Sequence, residues 1–123
     1  MITFDPASLK AYVAEQPTGP VVMLNLLRFA ADGGAEKYLA YAQQFDTAGI
    51  NYKYGVELLY AGRGDTAIIA ETGQAWDMVA LVRYPSRQHF VDMVSDPVYR
   101  SFEHLRTEAL VEAVLQPTVP VGV

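Results

Sequence analysis

Cysteine is absent from this 123-residue chain, which excludes disulfides, thiolate metal ligands and cysteine nucleophiles. Histidine is scarce. His89 and His104 are the only two, and neither stands in a His-x-His or His-Glu-x-x-His setting that would hold a metal. Nine Lys and Arg face fourteen Asp and Glu, for a net charge of −5, and the nine are scattered along the chain. Without a concentrated basic patch, nucleic acid is not an expected partner. No apolar run approaches the ~18 residues of a membrane span, and no basic stretch leads into a hydrophobic one near the start. The expectation is a cytoplasmic protein with no membrane partner, no metal and no cofactor. Gly-x-Ser-x-Gly is missing, and Gly62-Arg63-Gly64-Asp65 lacks the Gly-Lys-Ser/Thr of a phosphate loop, so it reads as a hairpin turn.

What is present is the composition of a globular chain, 51% hydrophobic and 19% charged, at a length that suits one domain over 1–123. Its most informative stretch is Pro20 to Phe29, nearly all apolar and interrupted by Asn25. Such a run reads as a strand buried on both faces. An amide inside it costs roughly 1–3 kcal/mol if its polar atoms go unpaired. Asn25 therefore either ties the core together or points into a cavity that holds something else.

Asp5-Pro6 reads as the start of a short helix ending near Glu15, with Leu9, Tyr12 and Val13 on its packing face. Gln16 to Gly19 is a breaker before the long strand Val21–Phe29. A helix from Ala35 to about Ala48 carries Tyr38, Tyr41, Ala42 and Phe45 on one stripe, with Gly49 as its stop. Strands are expected at Gly55–Ala61, Thr66–Glu71 and Ala75–Tyr84. Ser86 would cap a helix through Val94, and Asp96-Pro97 would start another reaching about Val114. The tail from Leu115 to Val121, with Pro117 and Pro120, can only be an edge strand or an arm. This order predicts an α+β, ferredoxin-like βαββαβ sandwich with an added N-terminal helix. One face of such a sheet would stay bare and apolar at Leu24, Leu26, Val79 and Leu81, so a homodimer packed sheet to sheet is expected.

Gly19 to Phe29, Tyr84-Pro85-Ser86-Arg87, Asp96-Pro97-Val98-Tyr99 and His104-Leu105-Arg106, in this order, resemble the family called domain of unknown function 1330. The resemblance implies membership of the dimeric α/β-barrel superfamily, and so a dimer whose sheets close into a barrel. That superfamily includes cofactor-free quinol monooxygenases, muconolactone isomerases, haem-degrading enzymes and chlorite dismutases. One fold with several chemistries transfers the fold and not the reaction.

Strand parity sorts the candidate residues. Trp76, Met78, Ala80, Val82 and Tyr84 share one face, with Ala80 leaving a hollow between the two aromatic ends or all of them forming plain core. Asn25 and Arg28 fall on opposite faces, so without a bulge they cannot reach one pocket. Arg28 reads as solvated or ion-paired, or as a substrate contact. Tyr99, Phe102 and Arg106 lie at i, i+3 and i+7 on the last helix, which turns Arg106 inward beside aromatic rings. Its partner there is a substrate carboxylate, phenolate or enolate, or an internal carboxylate such as Glu103 or Glu57. His104 lies on the polar side of that helix, solvated or at an interface. Asn25, Trp76 and His89 also supply the residue types of a haem-degrading site. The expected site therefore comprises Asn25, Tyr84 and Arg106 as catalytic groups and Trp76, Tyr99, Arg28 and His104 as substrate contacts. The expected function is binding of a small aromatic or carbonyl acid, with a cofactor-free monooxygenase or isomerase-like step. The alternatives are a non-catalytic dimeric ligand-binding or accessory protein, and haem turnover.

Overall fold

A computed structural model describes residues 3–15 and 18–122. Helix α1 (Pro6–Ala14) precedes strand β1 (Val21–Phe29), helices α2 (Gly34–Thr47) and α3 (Ile50–Tyr54), and strands β2 (Glu57–Arg63) and β3 (Met78–Tyr84). Helices α4 (Arg87–Ser95) and α5 (Pro97–Ala109) and strand β4 (Leu110–Thr118) complete the order. Of the expected breaker at 16–19, Gln16 and Pro17 lie outside the described residues.

The four strands form one antiparallel sheet in the order β2-β3-β1-β4. That is the strand order of the expected ferredoxin-like unit, elaborated by α1 and by a second helix in each crossover. The expected barrel is not formed. β2 and β4 are the two edges of an open sheet and do not pair with each other, so among the described residues nothing closes it.

β1 alternates buried and half-buried residues, which places Val21, Met23, Asn25 and Leu27 under the helices. The helices answer with aromatic stripes at helical spacing. Tyr99, Phe102, Arg106 and Ala109 are the buried residues of α5, and Tyr41 of α2 meets both Tyr99 and Phe102 edge-on at 6.1 and 5.9 Å. Two caps act as the sequence suggests: Ser86 Oγ accepts from the His89 amide at 3.1 Å, and Asp96 Oδ1 from the Val98 amide at 2.7 Å. On the sheet's other face Val22, Leu24, Leu26, Val79 and Leu81 are only half-buried.

Several elements depart from expectation for reasons outside their own sequence. Residues 66–71 form no strand, and Ile68 and Ile69 are 98% and 93% exposed. β3 already has β2 and β1 on its two sides, so a further strand would have had to extend the outer edge of β2. β3 begins at Met78 rather than Ala75 because the regular ladder with β1 gives way at Asp77, whose amide donates to the Leu27 carbonyl at 2.7 Å while its Oδ2 accepts from the Phe29 amide at 2.8 Å. The last helix stops at Ala109, and 110–114 join β4, where Val114 pairs with Leu26 and Glu112 with Arg28. Leu-Val-Glu-Ala-Val suits either element, and the free edge of β1 decides it. Helix α3 was hidden by Gly49, which does end α2 but also opens a new turn at φ 74°. Gly55, at φ 64°, ends that turn in the left-handed region that glycine enters without strain.

Candidate functional site

The cavity lies between the helix-facing side of the sheet and the helices above it, with a volume of about 170 Å³. Its floor is a consequence of strand register. Asn25 pairs with Ala80 on one side and Leu115 on the other, and all three line the cavity. Ala80 is too small to reach the helices, so the row leaves space where a larger side chain would have filled it. Tyr84 and Phe90 form one wall and α2 supplies Tyr38, Tyr41 and Phe45. Helix α5 contributes Tyr99 and Arg106, and Phe4, ahead of α1, closes a further side. Leu58 lines the cavity from edge strand β2 while 63% exposed, so that edge is open to solvent.

The polar groups within this mostly apolar wall are few. Asn25 is 8% exposed, and its Nδ2 donates to the Met23 carbonyl at a long 3.3 Å. Its amide oxygen and second N–H make no hydrogen bond among the described residues. The Tyr41 and Tyr99 hydroxyls pair at 3.0 Å. Arg106 is 6% exposed and holds its guanidinium carbon 5.7 Å from the centre of the Phe4 ring.

Burial governs the phenols. It pushes Tyr99 up to about 12, offset in part by the hydrogen bond from Tyr41 and by the Arg106 charge. It holds Tyr84 far above the ordinary tyrosine range, and raises Tyr41 and Tyr38 as well. In each of these four the positive charge of Arg106 pulls the other way. These phenols are therefore protonated donors through the neutral range, gathered around one buried cation.

Of the expected site residues, the cavity brings together Asn25, Tyr84, Tyr99 and Arg106, and it does not include Trp76, Arg28 or His104. Arg28 serves another purpose. It pairs with Glu112, donates to the Ala75 carbonyl from Nε at 3.0 Å and to the Gly73 carbonyl, and lies 5.1 Å over the Trp76 ring. The β1–β4 irregularity at Arg28/Phe29 does not turn it inward. His104 is exposed on α5. His89 is exposed on α4, with Nδ1 2.7 Å from Ser86 Oγ, and is not among the cavity residues. That placement and the small volume do not fit a haem. Among the described residues no group of three or more His, Asp or Glu side chains is placed to hold a metal ion.

Most of the cavity lining escaped the sequence reading as site residues, Tyr38, Tyr41, Asn51 and Phe4 among it. Tyr38 and Tyr41 were visible as a helix stripe but indistinguishable from core, and Phe4 belongs to no periodic element that would signal its direction.

No family model matches the chain, so the domain-of-unknown-function label is not confirmed, and no curated protein matches it either. Solved structures do match. A dimeric protein of unknown function with a ferredoxin-like fold from Bacteroides fragilis has 13% identity, TM-score 0.51, and covers 80% of this chain and 94% of its own. A putative antibiotic biosynthesis monooxygenase from Bacteroides thetaiotaomicron has 17% identity, TM-score 0.58, and covers 83% and 90%. At these identities the likeness is one of fold. Two crystal structures of RPA0582, a protein of unknown function from Rhodopseudomonas palustris, are far more similar, at 29% and 30% identity and TM-score 0.86. They cover 99% of this chain and 98% and 96% of that one. The chain therefore belongs to the same family as the Rhodopseudomonas palustris protein RPA0582.

Proposed function

We propose that this protein binds a small aromatic or carbonyl-containing acid in the cavity between sheet and helices, and does so as a homodimer. The observation that carries the ligand is the convergence of Asn25, Tyr84 and Arg106 on one small cavity whose remaining wall, Asn51 apart, is apolar and aromatic. A ring fills the apolar part, and the anionic oxygen takes the guanidinium of Arg106 and hydrogen bonds from the Asn25 amide and the Tyr84 phenol. The dimer is supported by the half-buried apolar face of the sheet, which carries no second layer among the described residues, and by the dimeric state stated for the Bacteroides fragilis neighbour.

If the cavity is also catalytic, its part is electrostatic. No carboxylate or histidine lines it among the described residues, and its tyrosines keep their protons at neutral pH. A substrate that is already ionised, or that moves its own proton in an isomerisation, would gain charge stabilisation from Arg106 and Asn25 without a protein base. The same absence of a base favours the second reading, a ligand-binding protein that performs no reaction.

Calorimetric titration with benzoate and with its neutral counterpart benzyl alcohol tests the proposal. Benzoate is expected to bind at least tenfold tighter, and equal affinities would overturn the acid reading. Sedimentation of the same samples reads the dimer, and a monomer at micromolar concentration would overturn that half.

A further inference from the structure

The cavity has a neighbour. A larger hollow of about 450 Å³ runs beneath α1, lined by Leu9 and Tyr12 of that helix, Met23 of β1, and Val114 and Pro117 of β4. Four residues belong to both hollows: Phe4, Phe90, Arg106 and Leu115. Three of the four stand on regular elements of the main body, and Phe90 and Arg106 are 3% and 6% exposed. Phe4 differs. It precedes α1, a helix with no buried residue, and stands against its neighbours through ring contacts, edge-on to Phe90 at 5.9 Å and beneath Arg106 at 5.7 Å.

From this we infer that Phe4 is the partition of a two-chamber site and sets the length of the ligand. With Phe4 in place, the inner chamber takes a single ring whose acid group lies against Arg106. With Phe4 removed, the two chambers join at Arg106, and a ring carrying an alkyl tail fits, the tail running under α1. This rests on the cavity being a ligand site, as proposed above. The lining marks the outer chamber as space for an apolar tail: Leu9, Met23, Val114, Leu115 and Pro117 are apolar, with Thr3, Asp5 and Ser8 also on its wall. Edge-on ring contacts of the kind Phe4 makes are weak enough for substitution to open the passage without dismantling the core.

The test uses two pairs of probes, benzoate with 4-butylbenzoate and benzene with butylbenzene, titrated into the full-length protein and its Phe4→Ala and Phe4→Leu variants. The native protein should prefer the short member of each pair at least tenfold. Phe4→Ala should bind the long member as well as the short one or better, with Phe4→Leu between. Thermal melts confirm that each variant is folded, and Phe4→Leu keeps an apolar contact with Phe90 should Phe4→Ala unfold. Equal binding of long and short probes by the native protein overturns the partition, as does continued rejection of the long probes by both variants. If the neutral pair shows the switch while the carboxylates do not bind, the partition stands and the acid reading falls. If none of the four binds any of the proteins, both fall.

Discussion

Two arginines lie against aromatic rings on opposite sides of this sheet, and they do different work. Arg28 faces away from the helices, where Glu112 and the carbonyls of Gly73 and Ala75 occupy its guanidinium and Trp76 lies beneath it. It clasps the 73–76 segment to strands β1 and β4 and has its hydrogen-bonding capacity spent on the protein. Arg106 faces the helix side, buried among four tyrosines and lining both hollows. An arginine near an aromatic ring is thus no indicator of a site. What separates the two is the side of the sheet, a matter of whether a residue is odd or even along β1 and of where a helix stripe points.

The largest expected effect comes from removing the inner charge. Arg106→Met keeps much of the volume and should weaken benzoate binding by roughly ten- to a hundredfold, the range for hydrogen bonds to a charged group. Benzyl alcohol should bind as before. Removing one charged member of a buried set of contacts is itself destabilising, so both ligands are titrated well below the melting temperature of the variant. Equal loss of both ligands would place Arg106 in packing rather than recognition.

Four tyrosines feel the charge of Arg106, and alkali should expose their burial. Burial raises Tyr99 from the ordinary 10.0 to about 12, so the folded protein keeps this proton after the unfolded chain has lost it. The contribution is fully present below pH 10 and lost as pH rises through 12, a change on the order of 2–3 kcal/mol. Denaturant midpoints measured from about pH 9 to pH 11 should fall more steeply for the native protein than for Tyr99→Phe. Parallel slopes would mean that Tyr99 is hydrated rather than sealed among rings.

The smallest effect belongs to the outer arginine. Arg28→Met should cost about 1–3 kcal/mol of stability through the carbonyls and carboxylate it leaves unpaired. Benzoate affinity should not move. A loss of affinity without a loss of stability would reverse the assignment of the two residues.

How much of this was legible in the chain follows the range of the forces involved. The inward turn of Arg106 beside Tyr99 and Phe102 depends on the 3.6-residue period of one helix, and it was readable. So was the opposition of Asn25 and Arg28, which needs only the two-residue period of one strand. Trp76 was misplaced because its parity presumed a strand that begins three residues before β3 does. That start is set by Asp77, whose amide reaches the Leu27 carbonyl and whose Oδ2 accepts from the Phe29 amide at 2.8 Å, partners some fifty residues earlier in sequence. His104 was excluded from the cavity by the same helical geometry that admitted Arg106.

The sequence by itself determined where α1, β1, α2, α4 and the start of α5 lie, the caps at Ser86 and Asp96, and which residues of these elements share a face. These depend on backbone sterics and on side-chain spacing within a few residues, so they are present wherever the local chain is. The tertiary structure decided the rest. It put 110–114 into a strand because β1 had an edge to fill, left 66–71 without a partner, and kept the sheet open with β2 and β4 at its edges. It also set Ala80 beside Asn25, which makes the cavity, and Phe4 across its end, which divides it. Each of these is a contact between residues far apart in sequence, where the register of one strand against another and the space left between packed side chains decide the outcome.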